Sequence, residues 1–205
     1  MKRALICVLL VGPGACRAAG GAHPSRDLTV VLDFKGSYSA SAVREMEHEA
    51  QEIIKDSGVR LDWRRAEEAA QHSYADLVVV RFQGACLVET DPSLYEETGP
   101  PEGPLAFTYT TNGAVQPFSE VACDKVAASI RSAMWGGDFA RADVLMGRAL
   151  GRVVAHELVH MLTRSTDHGH EGVQKPALSG KQLISGCLVL SAADLTRLRV
   201  NYIGH

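Results

Sequence analysis

The stretch Ala155-His156-Glu157-Leu158-Val159-His160-Met161, followed closely by Asp167-His168-Gly169-His170-Glu171, decides how the rest of the chain is read. On an α-helix, side chains four residues apart lie above one another on one face, so His156 and His160 can reach a single metal ion. Glu157 lies one position round the helix. Its carboxylate then stands beside the ion, free to take a proton from water rather than to act as a ligand. The helix must end after His160 for the chain to curl back over the ion. For a third ligand it then offers His168 first and Asp167 second, with His170 and Glu171 behind them.

Around the motif, Leu145, Leu150, Val153, Ala155, Val159 and Leu162 spread apolar surface over most of the helix circumference. That distribution predicts a buried central helix with one polar face on a cavity. Gly147 and Gly151 fall roughly opposite the histidines, where the absence of a side chain lets another element pack close. Either Asp138 or Asp143 is expected to cap the first turn.

Upstream, Leu28 to Phe34 is a β-rich run that reads as a first strand. Val43, Met46, Ala50, Ile53 and Ile54 recur at a helical period from Ser39 or Ser41 onward, and Ser57-Gly58 stops that helix. Val59 to Trp63 alternates as a half-buried strand, and Ala75 to Phe82 holds an apolar run suited to an interior one. Leu87 to Pro104, rich in proline and acidic residues, reads as a solvated surface excursion. Leu105 to Thr110 and Ala114 to Phe118 flank Asn112-Gly113 as a hairpin, one of whose strands can lie at a sheet edge and accept an extended peptide. Cys123 to Met134 reads as a helix, and Ser191 caps a closing one that carries Asp194, Leu195 and Leu198. The fold class expected is α/β (α+β): one domain with a twisted mixed sheet, a backing helix and the buried helix of the motif.

A chain of 205 residues with 46% hydrophobic content can bury one sizeable core. Its net charge of -3 and scattered basic residues give no support to a nucleic-acid surface. Lys2 and Arg3, the apolar run Ala4 to Val11 and the small residues to Ala22 read as an export signal, leaving residues 23–205 as the domain with no transmembrane span. The expected location is secreted or periplasmic. A lipoprotein anchored at Cys16 is the lesser alternative, since Pro13-Gly14-Ala15 lacks the usual aliphatic residue. In an oxidising compartment Cys86 and Cys123 are expected to pair, which leaves Cys187 over.

From His156 to His168 the chain resembles the zincin metallopeptidases, and among them most the metzincins, whose third ligand follows the helix after a short turn. The metzincin pattern is HExxHxxGxxH. Here Thr163 stands at the glycine position and Thr166 at the third histidine, so His168 comes two residues late. No methionine follows Met161, so the methionine turn of that family is missing; Leu183, Ile184 or Cys187 is expected to fill the floor beneath the ion. A zincin of the kind that takes a later glutamate is disfavoured, because none follows Glu171. The resemblance implies Zn2+ held by His156, His160 and His168, Glu157 as general base, and a peptide or protein substrate. Tyr202 is weighed as an oxyanion partner and read instead as packing. The alternative is a non-catalytic secreted zinc-binding or partner-binding module on the same fold.

Overall fold

A computed structural model describes residues 25–91 and 102–203. The export segment, Cys16 and most of the acidic excursion lie outside these residues.

Five strands form one mixed sheet: β1 (Arg26–Phe34), β2 (Val59–Arg65), β3 (Leu77–Gln83), β4 (Ala106–Thr111) and β5 (Ala114–Ala122), in the order β2-β1-β3-β5-β4. β1 pairs in parallel with both β2 and β3, and β3 in parallel with β5. β4 is antiparallel to β5 and forms an edge. Alternation along the strands sends Leu28, Val30, Leu32, Val78, Val80, Phe82 and Val121 into a single core shared with the helices. The opposite face carries ion pairs such as Arg81–Asp33 and Arg60–Asp27, with Phe107 and Tyr109 exposed near the edge. An α+β fold in one domain is therefore what the chain forms.

The hairpin turns at Asn112 and Gly113, both at positive φ (53° and 78°), the backbone an Asn-Gly pair adopts in a tight hairpin. Register shifts between Thr108 and Thr110, and Pro117, which has no N–H to donate, lies across from that irregularity. β5 runs on to Ala122, further than its alternation suggests, because its second half pairs with β3.

Helix α1 (Ala40–Ile54) is capped by Ser39, whose hydroxyl accepts from the Ser41 N–H at 3.3 Å. It buries Val43, Met46, Ala50, Ile53 and Ile54, the periodic set read from the sequence, and Gly58 turns the chain at φ 88°. A short helix not foreseen, α2 (Ala66–Ala69), follows β2. α3 (Cys123–Arg131) is a turn shorter than its pattern suggests. α4 (Ala142–Thr163) carries the motif, and α5 (Gly180–Ile184) and α6 (Ala192–Leu198) close the chain, each capped by the serine before it.

Neither aspartate caps α4, contrary to expectation. Asp138 accepts from the Trp135 N–H and so caps the preceding 3-10 turn, Gly136–Arg141. Asp143 is taken by the hydroxyls of Ser39 and Ser41, which fastens the start of α1 to the start of α4. The disulfide Cys86–Cys123 ties the end of β3 to the start of α3, with a Cα–Cα separation of 4.7 Å. In the chain-entropy view, closing such a loop is worth about 4 kcal/mol. Cys187 is not left as the free thiol expected.

α1 and α4 approach closely through the two glycines. A Cβ at Gly147 would lie 2.3 Å from the Ala42 carbonyl oxygen, and one at Gly151 would lie 2.8 Å from that of Met46. Those are backbone atoms of a packed helix and cannot swing aside. Gly147→Ala should therefore lower the unfolding free energy by about 1–3 kcal/mol, opposite in sign to the roughly 1 kcal/mol that alanine gains over glycine in an exposed helix. Urea unfolding checks it; a variant as stable as the parent or more so would refute the close approach.

Candidate metal centre

α4 is buried along nearly its whole length, so each polar side chain on it must find a partner. Arg152, 1% exposed, gives its Nε to Glu49 at 2.7 Å and its remaining donors to the carbonyls of Gln182, Ser185 and Gly186. This clamps α1 and the chain after α5 onto α4 one turn before the motif. At its far end the helix stops at Arg164, which takes the left-handed backbone (φ 52°), and the N–H groups of Arg164 and Ser165 both return to the His160 carbonyl. The turn expected at Thr163 is thus made one residue later, by an arginine.

Past that turn the chain folds back. His156, His160 and His168 come together so that one ring nitrogen from each lies within 4.8 Å of the others. Asp167, the second choice for third ligand, is exposed and not part of this cluster; its N–H is held by the Ser165 hydroxyl at 3.0 Å. His170 and Glu171 are exposed. Tyr202 packs against Arg26 and donates to the Asp27 carbonyl, a structural role at the start of β1.

The two helical imidazoles are fixed by groups that sequence reasoning missed. His156 Nδ1 lies 2.8 Å from the Val173 carbonyl oxygen and His160 Nδ1 lies 2.7 Å from that of Ser165. A carbonyl only accepts, so each Nδ1 carries its ring's proton. Burial pushes both rings down from the usual histidine value, His156 to about 4, which favours the neutral form. With the proton on Nδ1, each neutral ring turns the lone pair of its Nε2 toward the other, 3.0 Å away. Two lone pairs that close repel, and a cation between them relieves the conflict. Nitrogens sharing one tetrahedral zinc at about 2.0–2.1 Å stand roughly 3.3 Å apart, a spacing this trio brackets.

Beneath His156 lies the 3-10 turn Gly172–Gln174, whose Val173 carbonyl accepts from the His156 ring and whose fully buried Gln174 amide donates to the His156 carbonyl at 2.8 Å. Cys187, one of the residues expected on the floor, is exposed. Asp194, fully buried and paired with Arg197 and Ser191, adds a negative charge that favours a proton or cation at His156. Glu157, 4% exposed, accepts a hydrogen bond from the Thr108 hydroxyl at 2.6 Å. Its burial pushes the carboxyl up to about 7 against the opposing effect of that bond.

These groups open onto a cleft of about 580 Å³. The Gly103 to Thr108 segment forms one wall, Lys175 to Leu178 another, and Val153 joins the motif at the base.

In a metal titration with chelator competition, His156→Ala, His160→Ala and His168→Ala should each weaken binding at least a hundredfold, while Asp167→Ala leaves it within a few fold. A loss at Asp167 equal to that at His168 would reassign the third ligand. No family model matches the chain and no curated protein is detectably similar to it.

Proposed function

We propose that this protein is an exported zinc-dependent hydrolase of peptide bonds. The observation that carries the reading is the cluster of His156, His160 and His168, the first two with Nε2 atoms 3.0 Å apart, flanked by the buried carboxylate of Glu157. Three imidazole nitrogen donors suit zinc better than magnesium or calcium, which take oxygen ligands. Three protein ligands also leave a fourth position for water or substrate, the pattern of a catalytic rather than a structural site.

When bound, zinc supplies Lewis acidity, which lowers the pKa of water and polarises a carbonyl. The chain's own residues do the rest. Glu157 accepts the proton of the attacking water and passes it to the leaving nitrogen, and a carboxyl near neutrality is suited to both transfers. The Val173 and Ser165 carbonyls keep the two helical rings in one tautomer, so their ligating nitrogens stay aimed at the ion. Among the described residues β4 pairs with β5 alone, and its segment lines the cleft. An extended peptide laid along it would gain main-chain hydrogen bonds and pass over the histidines.

Both support and bounds come from the rest of the molecule. The Cys86–Cys123 disulfide fits an oxidising compartment, in keeping with the export reading. Among the described residues no helix is long and apolar enough to cross a membrane.

Zinc-loaded protein offered a broad peptide library should cleave it and lose cleavage on chelation. Glu157→Ala should retain stoichiometric zinc and lose about 10²–10⁴-fold in kcat. Undiminished hydrolysis by that variant would remove Glu157 from the mechanism, and stoichiometric zinc without any cleavage by the parent would point to a binding module.

A further inference from the structure

We infer that Thr108 is a positioning residue for the general base: its hydroxyl, donated from the edge strand β4, fixes the direction in which the Glu157 carboxylate points. The inference rests on the hydrolase reading for its catalytic meaning, but the contact that carries it stands apart from any metal. Thr108 Oγ1 lies 2.6 Å from Glu157 Oε2 across 49 residues of sequence, and it makes the only hydrogen bond found to that carboxylate among the described residues. The other carboxylate oxygen is left to the cleft that Glu157 lines with the three histidines.

Two features of β4 and β5 set this hydroxyl where it is. Thr108 pairs with Ser119, and the register of the two strands shifts immediately afterwards, before Thr110. Such irregularities bend a strand and re-aim the side chain beside them. Ser119 is fully buried next to Thr108 on the helix-facing side, yet its hydroxyl makes no hydrogen bond. It does not share the load, so Thr108 alone orients the base.

A carboxylate without this donor is free to rotate about its terminal bond, and a base displaced by about 1 Å can lose on the order of a hundredfold in rate. Thr108 also belongs to the wall against which an extended substrate would lie. The strand that receives the peptide is therefore the strand that holds the base, so a shift of one is felt by the other.

The test compares Thr108→Val, which keeps the β-branched shape and removes the donor, with Thr108→Ser, which restores it. In the zinc-loaded full chain, Thr108→Val should lower kcat ten- to a hundredfold with KM and zinc content within about twofold of the parent, and Thr108→Ser should recover most of the loss. A wild-type kcat in Thr108→Val, or a loss that Thr108→Ser does not recover, would overturn the assignment. A second readout needs no turnover: in metal-free protein, Thr108→Val should lower Tm when Glu157 is present and leave it unchanged in a Glu157→Ala background. Equal shifts in both backgrounds would show that the hydroxyl does not act through Glu157. Should the parent hydrolyse nothing while the Tm shifts remain coupled, the contact stands, and it is the hydrolase reading, with Thr108's catalytic role, that falls.

Discussion

A helix buried along almost its entire length must give its polar side chains partners, and α4 finds them for Arg152, Glu157 and the Nδ1 atoms of His156 and His160. Arg152 donates to Glu49 and three carbonyls, Glu157 accepts from Thr108, and the Nδ1 atoms of His156 and His160 donate to two loop carbonyls. What remains is the facing pair of Nε2 atoms, which open with His168 onto the cleft. Two imidazole lone pairs that close repel, and a cation held by all three rings relieves the repulsion.

Each partner also fixes a piece of architecture. Satisfying Arg152 brings α1 and the segment after α5 against α4. Satisfying the imidazoles requires the chain to turn at Arg164 and return through Gly172–Gln174, and that return carries His168 to the cluster. Satisfying Glu157 requires the edge strand, which becomes a wall of the cleft. The glycines at 147 and 151 let α1 come close enough for Glu49 to reach Arg152. Loss of a neighbour would therefore be felt at the site without any ligand being touched.

Much of this was legible in the sequence. The periodicity of α1, the alternation of β1 to β3, the Asn-Gly hairpin and the apolar girth of α4 are local patterns, and local patterns survive folding. The pairing of Cys86 with Cys123 followed from the strand ends that hold them. Less legible were the contacts that depend on the path of a loop. Nothing in the residue types at 165 and 173 says that their carbonyls will orient two histidines, since every residue carries a carbonyl. Asp167 and His168 were hard to rank because a shift of one residue in the turn exchanges their directions; the left-handed backbone at Arg164 decides it. Thr108 reads as one member of an alternating strand, and only the pairing of β4 at the sheet edge sets it against Glu157. Asp138 and Asp143 were misread as caps of α4 because a nearer 3-10 turn and the serines of α1 competed for them successfully.

The central claim is an open metal centre made of three imidazoles, and the coordination shell tests it most directly. X-ray absorption at the zinc edge on the loaded protein should report three nitrogens and one light exchangeable ligand at about 2.0–2.1 Å, with the multiple scattering of imidazole and no sulfur. A sulfur shell, an oxygen-rich six-coordinate shell, or failure to bind zinc stoichiometrically would contradict the account.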